Sequence, residues 1–233
     1  MYESEKAVSR CAKVSYSAEL VKEACEEREL LRDPLSKRIF DVALSLFGLF
    51  IMAPLWVLIV VLIWLEDGYP ILLLQERIGK GSKFFSLQKF RTMREDAEGV
   101  GVIVDRPEDS RVTGVGRILR ATAMDELPQL VNILKGEMSF VGPRALPLHI
   151  EDHERSRYST IEEIEGYGLR SRVRPGLTGI TQIFVPKDIP RRSKFRYDLF
   201  YIRKWSFWLD LRLIFVSVWI TLRGKWEARG SKI

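Results

Sequence analysis

Cysteine and histidine are nearly absent from this chain, with two of each in 233 residues. Cys11 and Cys25 both fall near the amino terminus, outside any cluster with metal-ligand spacing, and two cysteines make no disulfide framework. A cysteine-based zinc site and a disulfide scaffold are therefore excluded, and a reducing, cytosol-facing environment is expected. His149 and His153 stand four residues apart on one face of an expected helix. Flanked by Glu151, Asp152 and Glu154, they read as a solvated face rather than a metal pair. No short apolar run near the start ends in a small-residue cleavage site, so no signal peptide is expected. No internal repeat or low-complexity segment stands out either.

What the chain does have is basic charge and one long apolar run. With 37 Lys and Arg against 31 Asp and Glu, the net charge is +6, which favours an anionic partner. Nucleic acid, anionic lipid and phosphorylated small molecules all meet that condition. At 46% hydrophobic and 29% charged, the composition suits neither a disordered chain nor a polytopic bundle. Residues 1–36 read as a polar helical extension that stops at Asp33-Pro34, and they carry no recognisable chemistry.

From Val42 to Leu65 run 24 residues without a charge, enough to enter the hydrocarbon of a bilayer. Pro54 lies inside the run and predicts a kink near Met52. Lys37 and Arg38 precede the run, while Arg77, Lys80, Lys83 and Lys89 follow it, so both ends favour the cytoplasmic side. A helix that dips in and returns satisfies both flanks better than a straight span. Residues 70–100 alternate like strands, Glu95–Ser110 reads as a loop, and a helix is expected from Asp125 to Lys135, stopping at Gly136. Helical periodicity returns at Pro147–Ile164. Phe195–Trp226 holds 10 of the 25 aromatics among basic residues, a pattern suited to the membrane interface. A nucleic-acid surface would use similar ingredients but leaves the apolar run unexplained, so no nucleic-acid partner is expected.

The densest chemistry lies between Asp109 and Leu130. Pro128 is tolerated only in a helix's first turn, so Asp125 reads as the N-cap of the expected helix, with Glu126 about 100° away. Leu127, Leu130, Val131 and Leu134 make the expected buried stripe. In isolation Asp-Glu-x-Pro is an ordinary cap. Arg111, Arg117 and Arg120 approach it in sequence with two glycines among them, and arginines with exposed amides suit phosphate. Two adjacent acids can divide the roles of nucleophile, metal ligand and proton handler. Phosphoryl chemistry is the reaction class this mixture suits. Gly142-Pro143-Arg144 and Arg174-Pro175-Gly176 are two further turns that present arginines. A membrane-peripheral scaffold would explain charge and aromatics but gives the acid pair no task.

Read together, these motifs are similar to those of the bacterial sugar transferase family, the monotopic polyprenyl-phosphate phosphoglycosyl transferases. The resemblance rests on Lys37-Arg38-Ile-Phe-Asp41, the run with Pro54, Lys89-Phe90-Arg91-Thr92-Met93 and the block Asp109–Leu130. It continues through Leu134–Arg144, Arg174–Gly179, Tyr197–Ile202 and Ser206–Asp210, so it covers residues 37 to about 222. It implies an α+β fold, mostly helical and monotopic, with a re-entrant membrane helix, interfacial amphipathic helices and a small β element. The implied parts are an extension over 1–36, a re-entrant helix over 37–66 and a catalytic domain over 67–233.

The resemblance further implies a ping-pong transfer at the cytoplasmic face of the bacterial inner membrane. Asp125 would attack a nucleoside-diphosphate sugar, with Glu126 beside it, and the sugar phosphate would then pass to polyprenyl phosphate. Mg2+ is implied at Asp125. Lys89, Arg120 and Arg144 are implied near the phosphates, with Arg91, Arg111, Arg117 and Arg174 as further substrate-binding candidates. The chain departs from the family pattern at Ala145, at Ile180-Thr181-Gln182 and at Phe184-Val185-Pro186-Lys187.

Overall fold

The computed structural model describes residues 34–94, 110–148, 160–186 and 189–226. The extension up to residue 33, residues 95–109 of the loop expected over Glu95–Ser110, and both histidines lie outside the described residues. From Pro34 on, the chain is one compact unit. Among the described residues the fold is α+β, with seven helices, a three-stranded sheet and a two-stranded pair.

Helix α1, Leu35–Asp67, has 33 residues and is about 50 Å long at 1.5 Å per residue. A helix apolar all round is either a buried core or a membrane element. Only 11% of the most apolar 18-residue window of α1 is buried in protein, so it is no core helix. Burial is confined to its two ends. Lys37, Asp41 and Ser45 are buried along one face at the start, and Ile59 and Ile63 toward the finish. Between them Phe47, Phe50 and Val57 are exposed. Pro54 sits inside this single helical element and does not split it into two helices. Proline loses its own N–H and crowds the carbonyl one turn back, yet the helix continues on both sides of it.

The strands expected between residues 70 and 100 form a hairpin, β1 (Leu72–Ile78) and β2 (Phe84–Phe90). They pair antiparallel from Leu72↔Phe90 to Ile78↔Phe84. Helix α2 (Gly114–Thr122) follows, its amino terminus capped by the Thr113 hydroxyl. A 3-10 turn at Met124–Glu126 leads to α3 (Gln129–Lys135). Gly136 ends α3 in the left-handed region at φ 85°, where a Cβ would be strained.

Strand β3 (Ser139–Val141) comes next, and then β4 (Leu146–Pro147), which adds to β1 where helical periodicity was expected. Helix α4 (Tyr167–Arg170) precedes β5 (Gly176–Thr178), which pairs parallel with β3. Helices α5 (Ile180–Phe184), α6 (Arg191–Arg203) and α7 (Phe207–Leu222) complete the described chain. Trp208 and Phe215 of α7 are among its most exposed side chains.

Two larger apolar clusters among the described residues help hold the unit. Ile59, Ile63, Phe90 and Leu119 join the end of α1 to β2 and α2. Ile78, Leu146, Ile161, Ile164, Tyr167 and Phe195 form the other. The start of α1 is held by polar contacts. Lys37 forms an ion pair with Asp210, whose carboxylate also accepts from Tyr201 at 2.7 Å and Trp205 at 2.9 Å. Arg38 donates to the carbonyls of Ile133 at 2.5 Å and Leu134 at 2.7 Å, closing the carboxy-terminal end of α3.

Removing one partner of a buried ion pair leaves an uncompensated charge, at a cost of about 3–5 kcal/mol. Asp210→Leu is expected to lose about that much stability, and adding Lys37→Met should recover most of it. Chemical denaturation in detergent micelles would check both values.

Candidate active site

The acid pair stands on a strained turn rather than on a regular helix start. Ala123 takes a left-handed conformation, φ 55° and ψ 22°, which non-glycine residues adopt only under constraint. It reverses the chain out of α2 and starts the 3-10 turn. The expected N-cap role of Asp125 is not what the structure shows. The Leu127 amide, which such a cap would serve, is bonded to the Met124 carbonyl at 3.2 Å, and Pro128 has no N–H. The Asp125 carboxylate is thereby left for the interior of the site, where the residue is 9% exposed.

Because α3 begins only at Gln129, its phase differs from the expected one. Gln129, Leu130, Asn132 and Ile133 are buried, while Val131 and Leu134 are only partly covered. Asn132 is the residue that sequence reasoning missed. Its amide donates to Ser86 O at 2.8 Å and Glu137 Oε2 at 2.6 Å, and its oxygen accepts from the Gln88 amide at 3.1 Å. It fastens α3 to β2, and so sets the acid pair against Lys89. A polar residue between Val131 and Ile133 in an apolar stripe was the available signal.

Lys89 projects from β2 between the two acids, with Nζ 2.5 Å from Glu126 Oε1 and 3.5 Å from Asp125 Oδ2. Arg144 approaches from the loop after β3, 3.8 Å from Glu126 Oε1. Arg120, on α2, donates from Nε to Thr92 Oγ1 at 3.0 Å and contributes positive charge at Asp125. Burial pushes the Asp125 carboxyl above the ordinary aspartate range. Lys89 opposes that, the neighbouring Glu126 adds to it, and Arg120 opposes it again.

The other basic candidates are placed differently. Arg91 is buried and occupied at the end of α1, 3.0 Å from Asp67 Oδ2 and 2.5 Å from Asp67 O. Arg174 donates from Nε to Gly136 O at 2.8 Å, beyond the end of α3 that lies away from the acids. Arg117 is exposed on α2, and Arg111 lies on the segment bridged to Met93 through Val112. The two turns that present Arg144 and Arg174 lie against each other. A Cβ on Gly142 would fall 2.6 Å from Arg174 O, and one on Gly176 only 2.0 Å from Gly142 N. The parallel β3–β5 pairing brings Gly142 and Gly176 into main-chain contact and aims Arg144 at the acids.

Among the described residues no group of three or more His, Cys, Asp and Glu could cage a metal. Mg2+ commonly uses one or two carboxylates plus phosphate oxygens. The Asp125 and Glu126 carboxylates are of that donor type, while Lys89, Arg120 and Arg144 are counter-charges suited to a diphosphate rather than to the metal.

The family described as bacterial sugar transferase matches residues 32–224. An undecaprenyl-phosphate glucose phosphotransferase of Komagataeibacter xylinus is 39% identical over 80% of this chain and 36% of its own length. An Aeromonas hydrophila protein named UDP-N-acetylgalactosamine-undecaprenyl-phosphate N-acetylgalactosaminephosphotransferase is 35% identical over 81% of this chain and 44% of its own. The chain thus spans less than half the length of these two relatives. Exopolysaccharide production protein PSS of Rhizobium leguminosarum bv. phaseoli is 40% identical over 83% of this chain and 98% of its own.

A raised carboxyl pKa means that the folded state disfavours the ionised form. The destabilisation is therefore absent below the unfolded value of about 3.9 and fully present above the folded one. Asp125→Asn is expected to raise the thermal unfolding midpoint at pH 7–8, and the gain should vanish toward pH 4. Unfolding scans across that range would check it. An equal gain at every pH would assign the effect to packing instead.

Proposed function

The chain belongs to the bacterial sugar transferase family, and on that premise we propose that it moves a sugar phosphate from a nucleoside-diphosphate sugar to polyprenyl phosphate. The observation that carries the proposal is the buried Asp125 set between Glu126, Lys89 and Arg120. A carboxylate at a solvent-poor site with cations on two sides is a nucleophile held beside the charge its reaction must stabilise.

In the first step an Asp125 oxygen attacks the β-phosphorus of the nucleotide sugar. The bond from that phosphorus to the bridging oxygen breaks, and nucleoside monophosphate leaves with the bonding pair. The enzyme then holds an aspartyl sugar phosphate. In the second step a phosphate oxygen of the polyprenyl carrier attacks the same phosphorus, and the Asp125 carboxylate is released. Lys89, Arg120 and Arg144 offset charge on the phosphoryl oxygens. Glu126, 2.5 Å from Lys89, holds that ammonium beside the nucleophile. Mg2+, with Asp125 as its proposed protein donor and Glu126 adjacent, would supply further neutralisation of the diphosphate. Arg91 and Arg174 are left out of this set because helix ends occupy them. The sugars named for the relatives differ between glucose and N-acetylgalactosamine, so the proposal is for the class of donor.

Helix α1 is proposed to be re-entrant, with both ends at the cytoplasmic face of the inner membrane. Two contacts support that reading. Arg38 at its start closes the end of α3, and Glu66 at its finish accepts from the first amides of α2, Gly114 at 2.6 Å and Val115 at 2.9 Å. Both ends thus hold the unit that carries the acid pair, while the exposed apolar middle needs a non-aqueous medium. Products of this kind begin exopolysaccharide or lipopolysaccharide assembly, in keeping with the relative named for exopolysaccharide production.

Incubated with labelled nucleotide sugar and no lipid acceptor, the parent is expected to accumulate an acid-labile labelled protein and release nucleoside monophosphate. Asp125→Asn should lose label and lower transfer roughly a thousandfold or more, while Glu126→Gln should be severely impaired. An active parent that never becomes labelled would sink the covalent scheme. For the topology, Ser36→Cys and Tyr69→Cys in a background lacking Cys11 and Cys25 should both react with an impermeant maleimide from the cytoplasmic side alone. Labelling from opposite sides would show a straight span.

A further inference from the structure

The loop that carries Arg144 is held at three consecutive carbonyls by three different donors. Gly142 O accepts from Gln182 Nε2 at 3.4 Å, Pro143 O from the Gly176 amide at 2.8 Å, and Arg144 O from the guanidinium of Arg170. The first two donors are neutral. The third is a charged side chain on a residue that is 6% exposed, with its Cζ 4.8 Å from the centre of the Phe195 ring.

Arg170 makes a second contact with a different N–H. Its Nε lies 2.7 Å from Asp198 Oδ2, and the other oxygen of Asp198 accepts from the Thr181 hydroxyl at 2.5 Å. A buried ion pair contributes little net stability, because desolvation offsets most of the attraction. What this pair supplies is geometry. The planar guanidinium directs one N–H to Asp198 and another to the Arg144 carbonyl, a division that a lysine ammonium does not reproduce. Position 145 is alanine, so no proline ring restrains the backbone just after Arg144.

We propose that Arg170, oriented by Asp198, is a positioning residue that fixes the main chain at Arg144 and so keeps the Arg144 guanidinium facing the acid pair. The proposal rests on the reading of Arg144 as a phosphate-facing group. It gives Asp198 and Thr181, which touch no part of the acid pair, a task in the transfer. Charge stabilisation depends on placement to a fraction of an ångström, so a loosened loop costs rate even when the fold is intact.

The test combines a double-mutant cycle with a measurement that needs no turnover, both on the full chain in lipid nanodiscs. Arg170→Lys is expected to lower kcat for nucleoside monophosphate release about tenfold with KM changed less than about threefold. Asp198→Asn, which keeps an acceptor, should cost less. In an Arg144→Ala background the same Arg170→Lys change should alter kcat less than about twofold, because the residue it positions is gone. An equal factor in both backgrounds would overturn the proposal and leave Arg170 a structural residue. Hydrogen exchange of the amides at residues 144–146 should quicken about tenfold in Arg170→Lys while the β1–β2 amides stay unchanged. Unchanged exchange in the loop would overturn the positioning whatever the activity. If Arg144→Ala keeps full activity while that exchange still quickens, the functional reading of Arg144 fails and the brace stands.

Discussion

Lys37 and Asp210 meet where water is largely excluded, and the architecture depends on that contact together with its counterpart at the far end of α1. An apolar helix with an exposed middle has no preferred position on a protein surface, because lipid competes equally for every apolar side chain. Charged anchors remove that freedom. At the start, Lys37 and Arg38 tie α1 to α7 and to the end of α3. At the finish, Asp67 pairs with Arg91 and Glu66 caps α2. Opening the Lys37, Arg38 or Asp67 anchor leaves a buried or half-buried charge, while Glu66 is exposed and acts as a cap alone. The helix is thus held at both ends at once.

The same anchors order the chemistry. Helices α2 and α3, which the two ends of α1 cap, flank the 3-10 turn that bears Asp125 and Glu126. Asp41 of α1 accepts from the Phe140 amide at 3.1 Å, which steadies the strand leading to Arg144. On its other side that strand pairs with β5, through glycines that admit main chain against main chain. One set of contacts thus fixes both the long apolar helix and the geometry around the acid pair. This suits the proposed transfer, from a water-soluble donor to a lipid acceptor.

Much of this was legible along the chain, and the reasons are local. The apolar run, the strands before Arg91 and the stop at Gly136 follow from periodicity and from the φ that glycine permits, which neighbours within a turn decide. The Leu146–Pro147 strand was not, because two residues pair with β1 only once the chain has come back to Ile78. The expected cap at Asp125 failed for a similarly small reason. One left-handed alanine and one 3-10 turn moved the helix start to Gln129 and rotated its buried face onto Asn132.

By itself, then, the sequence determined that an acid pair, a set of basic side chains and a long apolar helix share one chain. Those are matters of residue type and spacing. Only the tertiary structure decided which basic side chains serve the acids. Lys89 and Arg144 reach them from elements 36 and 18 residues away, whereas Arg91 and Arg174, in motifs just as suggestive, are occupied by the ends of α1 and α3. An arginine carries five donors on a long stem and satisfies whatever acceptor packing brings near. Its task is therefore set by which elements meet around it, and spacing along the chain does not contain that.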